Sequence, residues 1–192
     1  MTTFNSKEEN VFHYLTFVAF RRVPIFKSEK ICEIFADALK IVKEKYPFKL
    51  IGYVIMPDHV HLIVNPVGCD IEIIGKELKG ISGNKTIKWL KENHYFSSLE
   101  KLKLKSEGKR SHSFCVWQKK VKSVDLWSHK LILQKLNYVH LNPVRAGLCD
   151  HPAKWKWSSY NAYLPKTKME IPIMPDKKGY WTDEEFEINK GT

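Results

Sequence analysis

Apolar and polar positions along the chain alternate between a strand period and a helix period. "VFHYLTFVAF" (11–20) is β-branched and aromatic and predicts a strand. After the loop "RRVPIF", Ser28 stands where a helix cap belongs. Ile31, Ile34, Phe35, Ala38, Leu39, Val42 and Tyr46 then recur at helical spacing until Pro47 stops them. "KLIGYVIM" (49–56) and "HVHLIV" (59–64) are two strands joined by the turn residues Pro57 and Asp58, an antiparallel hairpin. Asp70 caps a second helix carrying Ile71, Ile74, Leu78 and Ile81. Gly75, Gly80 and Gly83 predict a break in it near "GISGN".

Residues 93–112 are polar and predict a loop or irregular insertion, and "SFCVWQ" (113–118) predicts a fourth strand. Ser128 caps a third helix through Leu131, Ile132, Leu136 and Val139, expected to end before Pro143. The order strand, helix, strand, strand, helix, strand is a split βαβ pattern. It predicts an α+β, ferredoxin-like fold: a four-stranded antiparallel sheet with helices on one face, followed by one more helix. Beyond about Pro165 there is no period, so one domain over 1–164 and a C-terminal tail over 165–192 are expected.

Charge narrows the partner. The 192 residues carry a formal net charge of +11, with 32 Lys and Arg against 21 Asp and Glu. Such a surplus fits a polyanion, most directly nucleic acid. Between Lys76 and Lys122 there are 13 Lys and Arg and four acids, a candidate phosphate track that includes Lys79, Lys85, Lys119 and Lys120. Trp89, Tyr95, Phe96 and Trp117 lie in the same window. They are either base-stacking platforms or core residues. Cys32, Cys69, Cys115 and Cys149 form no CxxC pair, which argues against a zinc ribbon or a disulfide framework and suits four thiols in a reducing cytoplasm. "MTTFNSKEEN" lacks the form of a signal peptide, and no apolar run reaches the ~20 residues of a membrane span. A cytoplasmic protein without membrane association is expected.

Candidate chemistry begins at "HVH". On a strand, His59 and His61 point to one face and Val60 to the other. Two adjacent imidazoles are either a metal-ligand pair or two histidines on a solvated sheet face. In "KLNYVHLNPVRAGL" (135–148), Tyr138 and Asn142 are four apart and share a helical face. They are either a boundary tyrosine and a capping asparagine, or a nucleophile and an amide-oxygen ligand. Taken together, the two halves make one device. Two His and one amide oxygen suit Mg²⁺ or Mn²⁺ with positions left for a phosphate oxygen, and Tyr138 supplies the attacking oxygen. Arg145 follows the tyrosine helix and could hold a phosphate nearby. A histidine-triad hydrolase would need a third histidine at the position of Ile63.

"MPDHVHLIV", "YVHLNPVRAGL" and "WKWSSY" (155–160), in that order, resemble the single-tyrosine HUH transposases, and more closely their REP-associated branch. The similarity runs from about Phe12 to Tyr163. It includes "FHYLTFVAFRRVPIF", "KELKGISGNKTIKWL" and "VWQ". The resemblance implies the HUH endonuclease fold, with His59 and His61 as metal ligands, Asn142 completing the site and Tyr138 as nucleophile. It implies cleavage of single-stranded DNA beside a palindromic hairpin through a 5′-phosphotyrosine, without ATP. A monomer is expected over a helix-swapped dimer. The alternative is a domesticated relative that binds or regulates hairpin DNA without cutting it. The chain departs from the pattern before the tyrosine, where Asp125 and Trp127 are the nearest counterparts of an aromatic–acid stretch. It also departs in the long insertion 95–113.

Overall fold

The computed structural model describes residues 11–104, 113–165 and 169–176. Its core is a four-stranded sheet of β1 (Phe12–Val18), β2 (Phe48–Met56), β3 (His59–Pro66) and β4 (Lys122–Leu126), in the order β2-β3-β1-β4. Every neighbouring pair is antiparallel, the split βαβ arrangement that the element order predicts.

The strand alternation sorts side chains into two cores. Leu15, Phe17, Tyr53, Ile55, Val60 and Leu62 face the helices α1 (Glu29–Lys45) and α2 (Ile71–Glu92). Tyr14, Val54, Met56 and Ile63 face the other way, against Ile132, Leu136 and Val139 of α4 (His129–Arg145). The two crossover helices therefore share one face, and the tyrosine-bearing helix packs on the other, beside Ala162 and Tyr163. All four cysteines are free thiols.

Four local expectations are corrected. α2 is one continuous helix of 22 residues with no break at "GISGN". Ile71, Ile74, Leu78, Ser82, Thr86 and Leu90 bury one stripe of it, and that packing outweighs the weak helix propensity of its glycines. Residues 113–118 are not the fourth strand and contribute only isolated bridges, Phe114 to Lys103 and Trp117 to Ala19. The segment is apolar because Val116 and Trp117 insert into the α1–α2 core. There the Trp117 indole N–H donates to Ser82 Oγ at 3.0 Å. The true fourth strand, "KSVDL", buries only Leu126 and is held by its backbone ladder to β1, so no hydrophobic period marks it. Finally, α4 runs through Pro143 rather than stopping before it. Pro143 falls in the last turn, and its carbonyl accepts from Leu148 N–H at 2.9 Å around Gly147, whose φ of +67° makes the left-handed stop.

Part of the expected loop 93–112 is also helical, as α3 (Phe96–Leu102); residues 105–112 lie outside the described residues. After α4 the chain returns along the free edge of β2. Ile55 N–H donates to Trp157 O and Ser159 N–H to Tyr53 O. Further along, Asp176 bridges the Leu50 backbone and Lys43. "WKWSSY" and residues 169–176 thus cover a sheet edge that would otherwise be open to pairing. Residues 177–192 lie outside the described residues.

Candidate active site

The β3 register sets the site. His61 stands opposite Thr16 on β1 and Val54 on β2, and His59 opposite Val18 and Met56, all on the face that α4 covers. The two imidazole centroids are 4.7 Å apart. α4 lays Tyr138 over this pair, its ring 5.9 Å from that of His61 and 6.2 Å from that of Tyr14. Tyr138 remains 36% exposed, so part of it is accessible from solvent. Residues almost 80 positions apart are thus brought together within one chain.

Each histidine has a partner on Nδ1. His59 Nδ1 lies 2.6 Å from Asp58 Oδ1, and Arg22 Nη1 donates to Asp58 Oδ2 at 2.7 Å. Burial alone would raise the Asp58 pKa, but the hydrogen bonds from His59 and Arg22 outweigh it and hold the carboxyl below its usual range. His61 is 5% exposed, with the Tyr14 hydroxyl 2.7 Å and the Thr16 hydroxyl 3.0 Å from Nδ1. Burial first, then the charges of His59 and Lys135, push His61 down to about 3, so it is neutral at physiological pH. Burial also raises the Tyr14 hydroxyl well above its usual range, which keeps it protonated. The tautomer with each Nδ1 carrying the proton leaves both Nε2 lone pairs available, the arrangement of metal-ligating histidines with outer partners.

This donor chemistry fits a divalent cation held by two imidazoles and neutral oxygens. Among the described residues no group of three or more His, Cys, Asp and Glu could hold a metal ion. A third ligand from the described residues would therefore be of another residue type. Asn142 is half-buried one turn beyond Tyr138 on α4.

The residues that sequence reasoning missed come mainly from β1 and its loop. Tyr14 and Thr16 alternate with core residues of "FHYLTFV", and only the register with β3 reveals that they flank His61. Arg21 and Arg22 both adopt positive φ, 52° and 54°. Non-glycine residues rarely do so, and here the conformation accompanies the contact of Arg22 with Asp58. Lys135 is a further addition, its Nζ 5.1 Å from the Tyr14 ring centroid and 5.3 Å from that of Tyr138.

The basic candidates separate. Arg145 reaches the site, with Cζ 5.3 Å from the Tyr138 ring centroid. Lys119 and Lys120 are exposed and follow Gln118, whose N–H donates to Val18 O, so they sit at the His59 end of the sheet. Lys79 donates to the carbonyls of Gln118 and Lys119, and burial lowers its pKa, so it supports that segment. Lys85 is exposed on α2, away from Tyr138. A groove of about 870 Å³ between α2 and residues 113–119 presents Lys79, Lys88, Lys91 and Lys119 beside Phe114. Trp117 is core, and Trp89 stacks on Tyr95 at 4.8 Å. Asp125 pairs with His13 at 3.0 Å, while Trp127 is 64% exposed.

The height of Tyr138 is set two residues on. His140 is buried, with Nε2 2.9 Å from Ser159 Oγ, which in turn accepts from Tyr53 N–H at 2.9 Å. A side chain on Gly52 would collide with Leu136, so that glycine lets α4 sit close on β2. Burial pushes the His140 pKa down to about 3, against 6.5 for an unburied histidine. Between these values the unfolded chain binds the proton that the folded chain refuses. The His140 contribution is therefore fully present above about 6.5 and is lost as pH falls toward 3. Urea denaturation across that window should show stability falling with acidification. The slope should be shallower in His140→Gln; an equal slope would show that His140 is not the group responsible.

Residues 8–101 match the family model described as "Transposase IS200 like". Over 155 residues the chain is 26% identical to the Haemophilus influenzae protein named "Putative REP-associated tyrosine transposase". That match covers 78% of this chain and 79% of the relative. It shares its fold, at a TM-score of 0.62 and 19% identity, with the solved structure of a REP-associated tyrosine transposase bound to a REP hairpin. The likeness covers 92% of this chain and 93% of the other. The chain thus resembles the IS200-like transposases over residues 8–101, resembles a REP-associated tyrosine transposase over most of its length, and has the fold of the solved one.

Proposed function

We propose that the chain cleaves and rejoins single-stranded DNA beside a hairpin, with Tyr138 as nucleophile. The observation that carries this is the seating of Tyr138 against His61 within the same chain, half exposed and flanked by cations. The Tyr138 oxygen attacks a backbone phosphorus, the P–O3′ bond breaks, and the products are a 5′-phosphotyrosine and a free 3′-hydroxyl. Energy of the phosphodiester is retained in the adduct, so rejoining needs no ATP.

His59, His61 and Asn142 are the residues that would hold Mg²⁺ or Mn²⁺. When bound, the ion neutralises charge on the phosphate and orients it. Asp58 and Arg22 orient His59, and Tyr14 and Thr16 orient His61. Arg145, with Lys119 and Lys120 at the same end of the sheet, would track the phosphates of the strand; Lys85 and the α2 groove extend that basic surface. The related hairpin complex supports a hairpin partner. The packing of α4 on its own sheet supports a monomer acting in cis.

End-labelled single-stranded oligonucleotides carrying hairpin-forming palindromes sought in the DNA that flanks this chain's gene, incubated with protein and Mn²⁺, should yield an SDS-resistant protein–DNA band. Binding without such a band would mark a non-cleaving hairpin binder instead. Asp58→Asn should weaken Mn²⁺ binding by roughly 10–100-fold, as loss of an outer carboxylate on a metal-bound histidine does. Isothermal calorimetry without DNA reads this directly, and an unchanged affinity would remove Asp58 from the metal site.

A further inference from the structure

We propose that Lys135 is a further catalytic residue, which with Arg145 clamps the scissile phosphate against Tyr138. This rests on the reading of Tyr138 as nucleophile. Lys135 lies one helical turn before Tyr138 and Arg145 two turns after it, so one helix supplies nucleophile and both cations. Both bear on the Tyr138 ring at 5.3 Å, and Lys135 also bears on Tyr14, the partner of His61.

Neither cation forms an ion pair among the described residues. Other lysines do: Lys43 with Asp176, Lys45 with Glu77, Lys154 with Asp150 and Lys156 with Glu29. Lys135 is half-buried and shares its surroundings with a histidine pair suited to a divalent cation. Positive groups gathered this closely repel one another, and the Asp58 carboxylate nearby is engaged by His59 and Arg22 rather than by Lys135 or Arg145. A phosphodiester placed between them does. Its two non-bridging oxygens supply the missing negative charge, and its phosphorus falls within reach of the Tyr138 oxygen.

In the transfer, the Tyr138 Oη–P bond forms and the P–O3′ bond breaks. The phenolic proton leaves to solvent, and the 3′-oxygen is protonated from solvent. Lys135 stays an ammonium throughout and donates a hydrogen bond to a non-bridging oxygen, where charge builds in the transition state.

Two measurements separate this clamp from the chemistry it serves. Lys135→Met keeps the apolar stem between the two tyrosine rings and removes the charge. With flanking-DNA oligonucleotides and Mn²⁺, its single-turnover rate of adduct formation should fall on the order of 10²-fold. Lys135→Arg should recover part of the rate, and the Tm of both variants should stay within a few degrees of wild type. In a Tyr138→Phe background, the slope of log K against log salt should lose about 0.7, the share of one single-strand phosphate. A wild-type adduct together with unchanged rate and slope in Lys135→Met would overturn the clamp and leave the tyrosine chemistry standing. A lowered rate that Lys135→Arg does not recover, with a lowered Tm, would reduce Lys135 to a packing residue and overturn its catalytic role. No adduct in the wild type, with the slope still lowered, would sink the tyrosine chemistry and with it the catalytic role, while the phosphate contact stands.

Discussion

Tyr138→Phe is expected to bind single-stranded hairpin DNA about as tightly as the wild type and to form no covalent adduct. The substitution removes one oxygen. The ring keeps its edge contacts with Tyr14 and His61 and its place near Lys135 and Arg145. The helix keeps its anchor through His140 and Ser159. Binding energy drawn from phosphate contacts is therefore preserved, and only the bond-forming atom is lost. No neighbour on the same face replaces it well. The Tyr14 hydroxyl is buried, held at His61, and shifted further toward its protonated form than an ordinary tyrosine. An adduct of undiminished yield in Tyr138→Phe would transfer the nucleophile's role to another residue. A large loss of binding would show that the hydroxyl serves recognition.

His61→Ala should abolish metal-dependent cleavage, and His59→Ala should weaken it at least as far as metal affinity falls. The two differ because their surroundings differ. His59 is half-buried and tethered through Asp58 to the exposed Arg22, so its loss leaves a solvated gap. His61 is enclosed. Its removal strips the Tyr14 and Thr16 hydroxyls of a partner in a buried place, at a stability cost of about 1–3 kcal/mol beyond the lost ligand. Mn²⁺ titration by calorimetry, beside a thermal melt, distinguishes lost ligation from lost folding. Full cleavage by the wild type in EDTA would dispose of the metal role altogether.

How legible the site was depends on how far each residue's signal travels along the chain. His59 and His61 share a face by strand geometry, and Tyr138 and Asn142 share one by helix geometry; both are local facts. Joining the two halves required the resemblance, because nothing in either segment states that α4 crosses the sheet face opposite α1 and α2. Tyr14 and Thr16 were hidden for the same reason. A tyrosine and a threonine in a β-rich run look like ordinary strand residues until the register Thr16↔His61 is known. Trp117 misled in the other direction: its apolar neighbours suggest a strand, yet they are apolar because they fill the core beside Gly83 and Ser82.

The fold shows the same division. Strongly periodic elements, α1 and the β2–β3 hairpin, stand nearly where the pattern puts them, because burial of one face both creates the pattern and drives the folding. β4 escaped because an exposed edge strand is held by backbone bonds, which every residue can make. The glycines of α2 and Pro143 of α4 were overruled because propensities worth about 1 kcal/mol for a glycine yield to a buried stripe, and a proline near a helix end interrupts little.

The sequence by itself determined the strongly periodic elements α1 and the β2–β3 hairpin, the basic charge of the chain, the one-face pairing of His59 with His61 and the helical pairing of Tyr138 with Asn142. These follow from the 2.0 and 3.6 periods and from charge, which act over a few residues or over the whole chain. Only the tertiary structure decided that Tyr138 reaches His61, that Tyr14 and Thr16 flank His61, and that Arg22 reaches Asp58 beside His59. Those are contacts between elements distant in sequence, set by strand register and by how closely α4 sits on Gly52. No local pattern encodes them.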